Sequence, residues 1–233
     1  MATTTRRPLS SFFRQLGRRG RAGGADYFFQ IIIVIIGVYL GITLEARASD
    51  RDDARKARAT LRYLVADMRR DDADMSRVGE AQQIHARNYA EIAAWLGAQQ
   101  PASARIDSLM WKATTNPTVY LRRGVYSSMI AAGQVALLDE DLSSAVVNLY
   151  DNVYTRLAAN GEHYDYSLER QYFPAYSASW DPARRSMIST DRAERVRFRN
   201  TVLIMEEWSR YYAQLLVESQ TELRAVLATI DDK

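Results

Sequence analysis

The chain has no cysteine. That excludes disulfides, thiolate metal sites and cysteine nucleophiles, and leaves the compartment open. Histidine is nearly absent too: only His85 and His163 occur. Neither stands in an HExxH pattern. His163 lies between Glu162 and Asp165 without convergent ligands, so a surface or helix-end role is expected and no metal is assigned. GxSxG, P-loop and GxGxxG patterns are missing as well. The sequence therefore offers no catalytic residue and no cofactor site, and the chain is read as a non-enzyme. Five prolines occur in 233 residues, none between Ala48 and Leu96, where Gly79 is the only glycine. Little there interrupts a helix. Strand-like alternation is lacking throughout.

What is present is one long apolar run, Phe28 to Leu44, uncharged and with the single amide Gln30. With its flanks it makes a helix of about 30 Å, the thickness of a bilayer's hydrocarbon core. The expectation is a transmembrane helix over residues 26–46. Of the 31 basic and 28 acidic residues, six arginines and two acids precede Arg47, which leaves a net charge of −1 for the remainder. The basic character thus belongs to residues 1–25, expected as a disordered cytoplasmic tail near anionic lipid rather than a nucleic-acid-binding arm. Residues 47–233 are then expected in the periplasm, below a bacterial inner membrane crossed once. The run is longer than a usual signal-peptide core, which favours an uncleaved anchor.

Gln30, Gly37 and Gly41 share one face of this helix. Small residues allow close backbone approach and a buried amide gains from a partner, so a homodimer through this face is one expectation.

Beyond the run, Ala57, Leu61, Leu64, Val65, Met68, Met75, Val78, Ile84, Tyr89, Ile92, Trp95 and Leu96 recur at helical spacing, with an end at Gly97. Shorter helices are expected over about 105–114 and 118–132, the latter closed by Gly133 as a left-handed cap. Asp139 caps a helix through Leu157, which Asn160-Gly161 ends or kinks; a Tyr-rich helix reaches Pro174. After a loop, Asp191 and Glu194 form a capping-box pattern for a last helix to about Thr229. The fold class is all-α: the transmembrane helix continues into an antiparallel helical bundle.

Two stretches carry a resemblance. One is the run with its charged exit; the other holds Ala132-Gly133, Leu137-Leu138, Asp141-Leu142 and Tyr150/Tyr154. With Ile36-Gly37, these are similar to a bacterial family of single-pass membrane proteins of unknown function. Arg47-Ala48-Ser49 stands where that family commonly carries Asn-Asn-Trp. The resemblance implies an anchored helical domain and no activity.

The acids Asp67, Asp71, Asp72 and Asp74 alternate with Arg69 and Arg70 and are read as a solvated, ion-paired helix face. Of the fourteen tyrosines, Tyr150, Tyr154 and Tyr212 are candidates for a ligand pocket between helices. Two functions follow: a scaffold that binds an unknown protein partner, or a periplasmic sensor-like domain with a small ligand among the tyrosines.

Overall fold

A computed structural model describes the backbone of residues 23–231 except Thr190, and side chains in that range except those of residues 23–30, Ala46, Ala48 and Asp50. The tail expected over residues 1–25 lies almost wholly outside the described residues. The chain divides into two units, Met1–Arg55 and Lys56–Lys233.

In the first unit, α1 (Gly23–Ala98) begins. Its residues from Ile31 to Leu44 bury almost nothing: the ten large hydrophobics Ile31, Ile33 to Ile36, Val38 to Leu40, Ile42 and Leu44 are each 48–67 % exposed. No helix among the described residues is long and apolar enough to cross a membrane. Of the span expected over 26–46, side chains are described continuously from Ile31 to Glu45 only.

The second unit is a helical bundle. The rest of α1 is followed by α2 (Ala104–Lys112), α3 (Gly124–Ala131), a 3-10 turn (Gln134–Leu137) and α4 (Glu140–Val147). Helical backbone then continues through a π-turn (Asn148–Val153), α5 (Tyr154–Ser167), a second π-turn (Leu168–Tyr172) and α6 (Phe173–Ser179). A two-stranded hairpin, β1 (Trp180–Asp181) and β2 (Ser186–Met187), leads to α7 (Arg192–Asp231). The core is the stripe of α1, including Leu64, Met68, Met75, Tyr89 and Ile92, packed with Val146, Leu157, Phe198, Val202, Met205, Leu216 and Leu223. Polar cross-links run in opposite order along α1 and α7: Arg69 to Asp231, Asp72 to Arg224, Ser76 to Gln220, and the Ala93 carbonyl to Arg199. These two long helices are therefore antiparallel.

Local chemistry explains the ends. The Ser103 hydroxyl and the Asp139 carboxylate accept from the backbone amides of Ile106 and Leu142, each satisfying one free donor at a helix start. Asp191 does the same for Ala193. Gly133 takes φ +66°, the left-handed cap expected of it.

Five expectations need correction. The α1 terminus lies at Ala98, where Gln99, not Gly97, adopts the left-handed conformation. Residues 118–123 are not helical, because their backbone and side chains bond to polar groups of other segments. Gly161 sits inside α5, and Pro174 sits in the first turn of α6. In that first turn a proline's missing N–H costs little. The hairpin was not expected; Asp181 nucleates it by accepting from the amides of Ala183 and Arg184.

Gly161 is required by proximity. A β-carbon there would meet the Tyr212 hydroxyl at 3.0 Å. That hydroxyl is pinned by the Val119 amide at 3.4 Å. Gly161→Leu is expected to cost about 1–3 kcal/mol by overpacking. Gly161→Ala gains about 1 kcal/mol of helix propensity and should come out near neutral. Chemical denaturation of the two variants checks the difference; equal midpoints would refute the crowding argument.

Candidate functional site

A two-arginine clamp lies at the start of α3. Residues 115–123 form a non-helical strap. Gln82, buried on α1, donates to the Asn116 side-chain oxygen at 3.0 Å and to the Pro117 carbonyl at 2.8 Å. Asn116 and Thr118 donate to Asp165 of α5. At the strap's end, Arg122 turns to α1 and Arg123 to the first π-turn.

Arg122 Nη1 donates to Asp71 at 2.7 Å and to Asp74 at 2.9 Å, and the Arg122 backbone amide also points at Asp71. Asp71 is fully buried. Burial pushes its carboxyl above the usual range, against the opposing pull of Arg122. Asp74 is held below that range, chiefly by its bond to Arg122. The solvated-face expectation is thus corrected at Asp71. It falls in phase with Leu64, Met68, Met75 and Val78, and that spacing was the available signal.

Arg123 Nη2 donates to the Tyr150 carbonyl at 2.8 Å and to the Thr155 hydroxyl at 3.2 Å. A π-turn displaces carbonyls from the regular ladder, and Arg123 meets the one displaced here. The ring of Tyr150 stacks on Tyr126, with centroids 4.3 Å apart and planes within 10°, and tilts onto Tyr154 at 4.8 Å. Their buried hydroxyls make no ordinary hydrogen bond within the protein. Burial raises the pKa of each, that of Tyr126 to about 12. The phenols stay protonated near neutrality and supply no phenolate base.

The structure thus brings Tyr150 and Tyr154 together. Tyr212 lies against Tyr164 and Gly161 instead, with its pKa pushed to about 12 by burial. All three candidates are fully buried. The grooves described on the surface are lined by other residues. A β-carbon added at Gly37 or Gly41 would meet nothing within 4 Å, and the Gln30 side chain lies outside the described residues. His163 is exposed beside Trp208, whereas His85 is buried and its pKa is depressed by that burial. No group of three or more potential metal ligands occurs among the described residues.

The model of the family of unknown function DUF6090 matches residues 30–205. No curated protein and no solved structure matches the chain.

Proposed function

The chain belongs to the DUF6090 family, and since that family carries no function to transfer, we propose from its own structure that it is a membrane-anchored, non-enzymatic helical module that binds a protein partner. The observation that carries this reading is the run Ile31 to Leu44, apolar on every side of its helix and exposed on every side. A helix that packs in a globular core needs one apolar stripe; an all-round apolar surface is suited to hydrocarbon. In this reading the helix crosses a bacterial inner membrane once, the Arg-rich N-terminus stays in the cytoplasm, and the bundle stands in the periplasm.

The clamp supports the non-enzymatic part. Arg122 and Arg123 hold the strap to α1 and to the π-turn, which occupies these charges in structural contacts. The sensor-like alternative, with a ligand among Tyr150, Tyr154 and Tyr212, is the weaker one because those rings pack on protein from all sides.

Alkaline washing of membranes from cells expressing the full chain tests the anchor. The chain should remain in the pellet, and its recovery in the wash would refute the proposal. A reporter fused after Lys233 tests the orientation: activity confined to the cytoplasm would overturn a periplasmic bundle. Gly37 and Gly41 leave room for a second helix. Replacing both with Ile should abolish a cross-linked dimer in membranes if they form its contact. An unchanged dimer removes that contact from the proposal.

A further inference from the structure

α1 and α7 each carry Ala at the fourth of five positions, with Gln and Arg at the ends exchanged between the two helices. On α1 the five read Gln83, two residues, Ala86, Arg87; on α7 they read Arg210, two residues, Ala213, Gln214. Because the helices are antiparallel, Arg87 and Arg210 share one end, Gln83 and Gln214 the other, and Ala86 and Ala213 lie between. These six residues and Val217 line a single groove of about 410 Å³. That size suits a small molecule.

The lining has one sign of charge. No carboxylate is among its residues. Arg210 is bonded to Glu206, one turn away along its own helix. Arg87 makes no ion pair among the described residues. Gln214 keeps one bond, to Glu218 at 3.0 Å. The two alanines are buried and too small to fill the space above them. Glu206 already meets the charge of Arg210, which leaves Arg87 as the groove cation with no ion pair among the described residues. Planar arginine forks are well matched to carboxylate and phosphate oxygens.

We infer that this groove binds a small organic anion, whose carboxylate or phosphate head lies between Arg87 and Arg210 and whose second polar group reaches Gln83 and Gln214. On each helix the arginine and glutamine are four residues apart, or about 5–6 Å between β-carbons, which sets the distance between the ligand's two polar ends. The buried alanines admit a short carbon chain. The inference is independent of the membrane reading, since every lining residue belongs to the unit Lys56–Lys233.

Glutarate, with carboxylates joined by three carbons, is the probe. Calorimetric titration into the purified full chain should show saturable binding. Arg87→Gln and Arg210→Gln should each weaken it at least about tenfold, or 1.4 kcal/mol. Gln83→Leu should weaken it less. Arg87 is exposed, so Arg87→Gln should melt no lower than the parent; the melt verifies that lost binding is not lost folding. Absence of saturable binding in the parent, or full binding in the doubly substituted chain, would overturn the site. Inorganic phosphate is the second titrant. Equal affinity for phosphate and glutarate, unaffected by Gln83→Leu, would overturn the two-ended ligand.

Discussion

Asp71→Ala is expected to cost the bundle about 1–3 kcal/mol, the range for leaving a buried hydrogen-bonding group without its partner. The carboxylate is fully buried and accepts from both the guanidinium and the backbone amide of Arg122. Alanine leaves that amide without its acceptor and the guanidinium with Asp74 alone. Asp71→Asn should behave differently. Burial raises the Asp71 pKa, so desolvation of the charge outweighs its attraction to Arg122. A neutral side chain of the same shape that still accepts should cost no more than about 1 kcal/mol. The sign with pH follows. A carboxyl whose pKa is raised by folding is relatively unfavourable when charged, and the handicap fades as pH falls through the folded-state pKa. The Asn variant should therefore compare best with the parent at neutral pH and lose ground in acid. Asp74, with its pKa lowered chiefly by Arg122, works in the opposite sense in both proteins. Urea melts of the parent and both variants at pH 7 and pH 4 check this. Equal losses for Ala and Asn would show that the charge itself carries the clamp.

Under the anchored reading proposed above, replacing Ile33 and Ile36 together with arginine should remove the chain from the membrane fraction. A central arginine opposes membrane insertion by about 2.5–3.5 kcal/mol, so the pair contributes about 5–7 kcal/mol. Both isoleucines are at least half exposed and neither belongs to the bundle core. The bundle's own melting transition should therefore stay where it is. Conservative Ile33→Leu and Ile36→Leu changes should leave fractionation unaltered. If the double-arginine chain still sediments with membranes after alkaline washing, hydrocarbon insertion of this run is excluded.

The long elements were legible because their apolar residues recur without interruption. The α1 stripe from Ala57 to Leu96 and the α7 stripe from Phe198 to Leu223 are buried nearly throughout, as spacing alone predicts. The exception on α1 is instructive. Ile84 is exposed because it falls out of phase with Met75, Val78, Tyr89 and Ile92, while Gln82 and His85 fall in phase and turn inward, where Gln82 holds the strap through Asn116 and Pro117. Here helical phase overrides hydropathy, and partners from distant sequence satisfy the buried amide. Asp71 was hidden for the same reason: its phase was visible, but Arg122, fifty-one residues later, was not. The π-turns left no trace in composition, since they arise from packing and from carbonyl partners such as Arg123 rather than from residue type. The Gln, Ala and Arg of the groove were present in the sequence, but their meaning depends on two helices lying antiparallel.

The π-turns also act as phase correctors. Each inserts about one extra residue into a helical path, and one residue corresponds to about 100° of rotation. Between Glu140 and Ser179 the chain uses two such insertions, some twenty residues apart. Each advances the buried face by roughly a quarter-turn, so that Leu142 and Val146 before the first, Tyr154, Leu157 and Tyr164 between them, and Tyr172 at the second all reach one core. A regular α-helix through the same number of residues would point the following tyrosines away from that core. In this segment the residue count is as binding a constraint as residue identity.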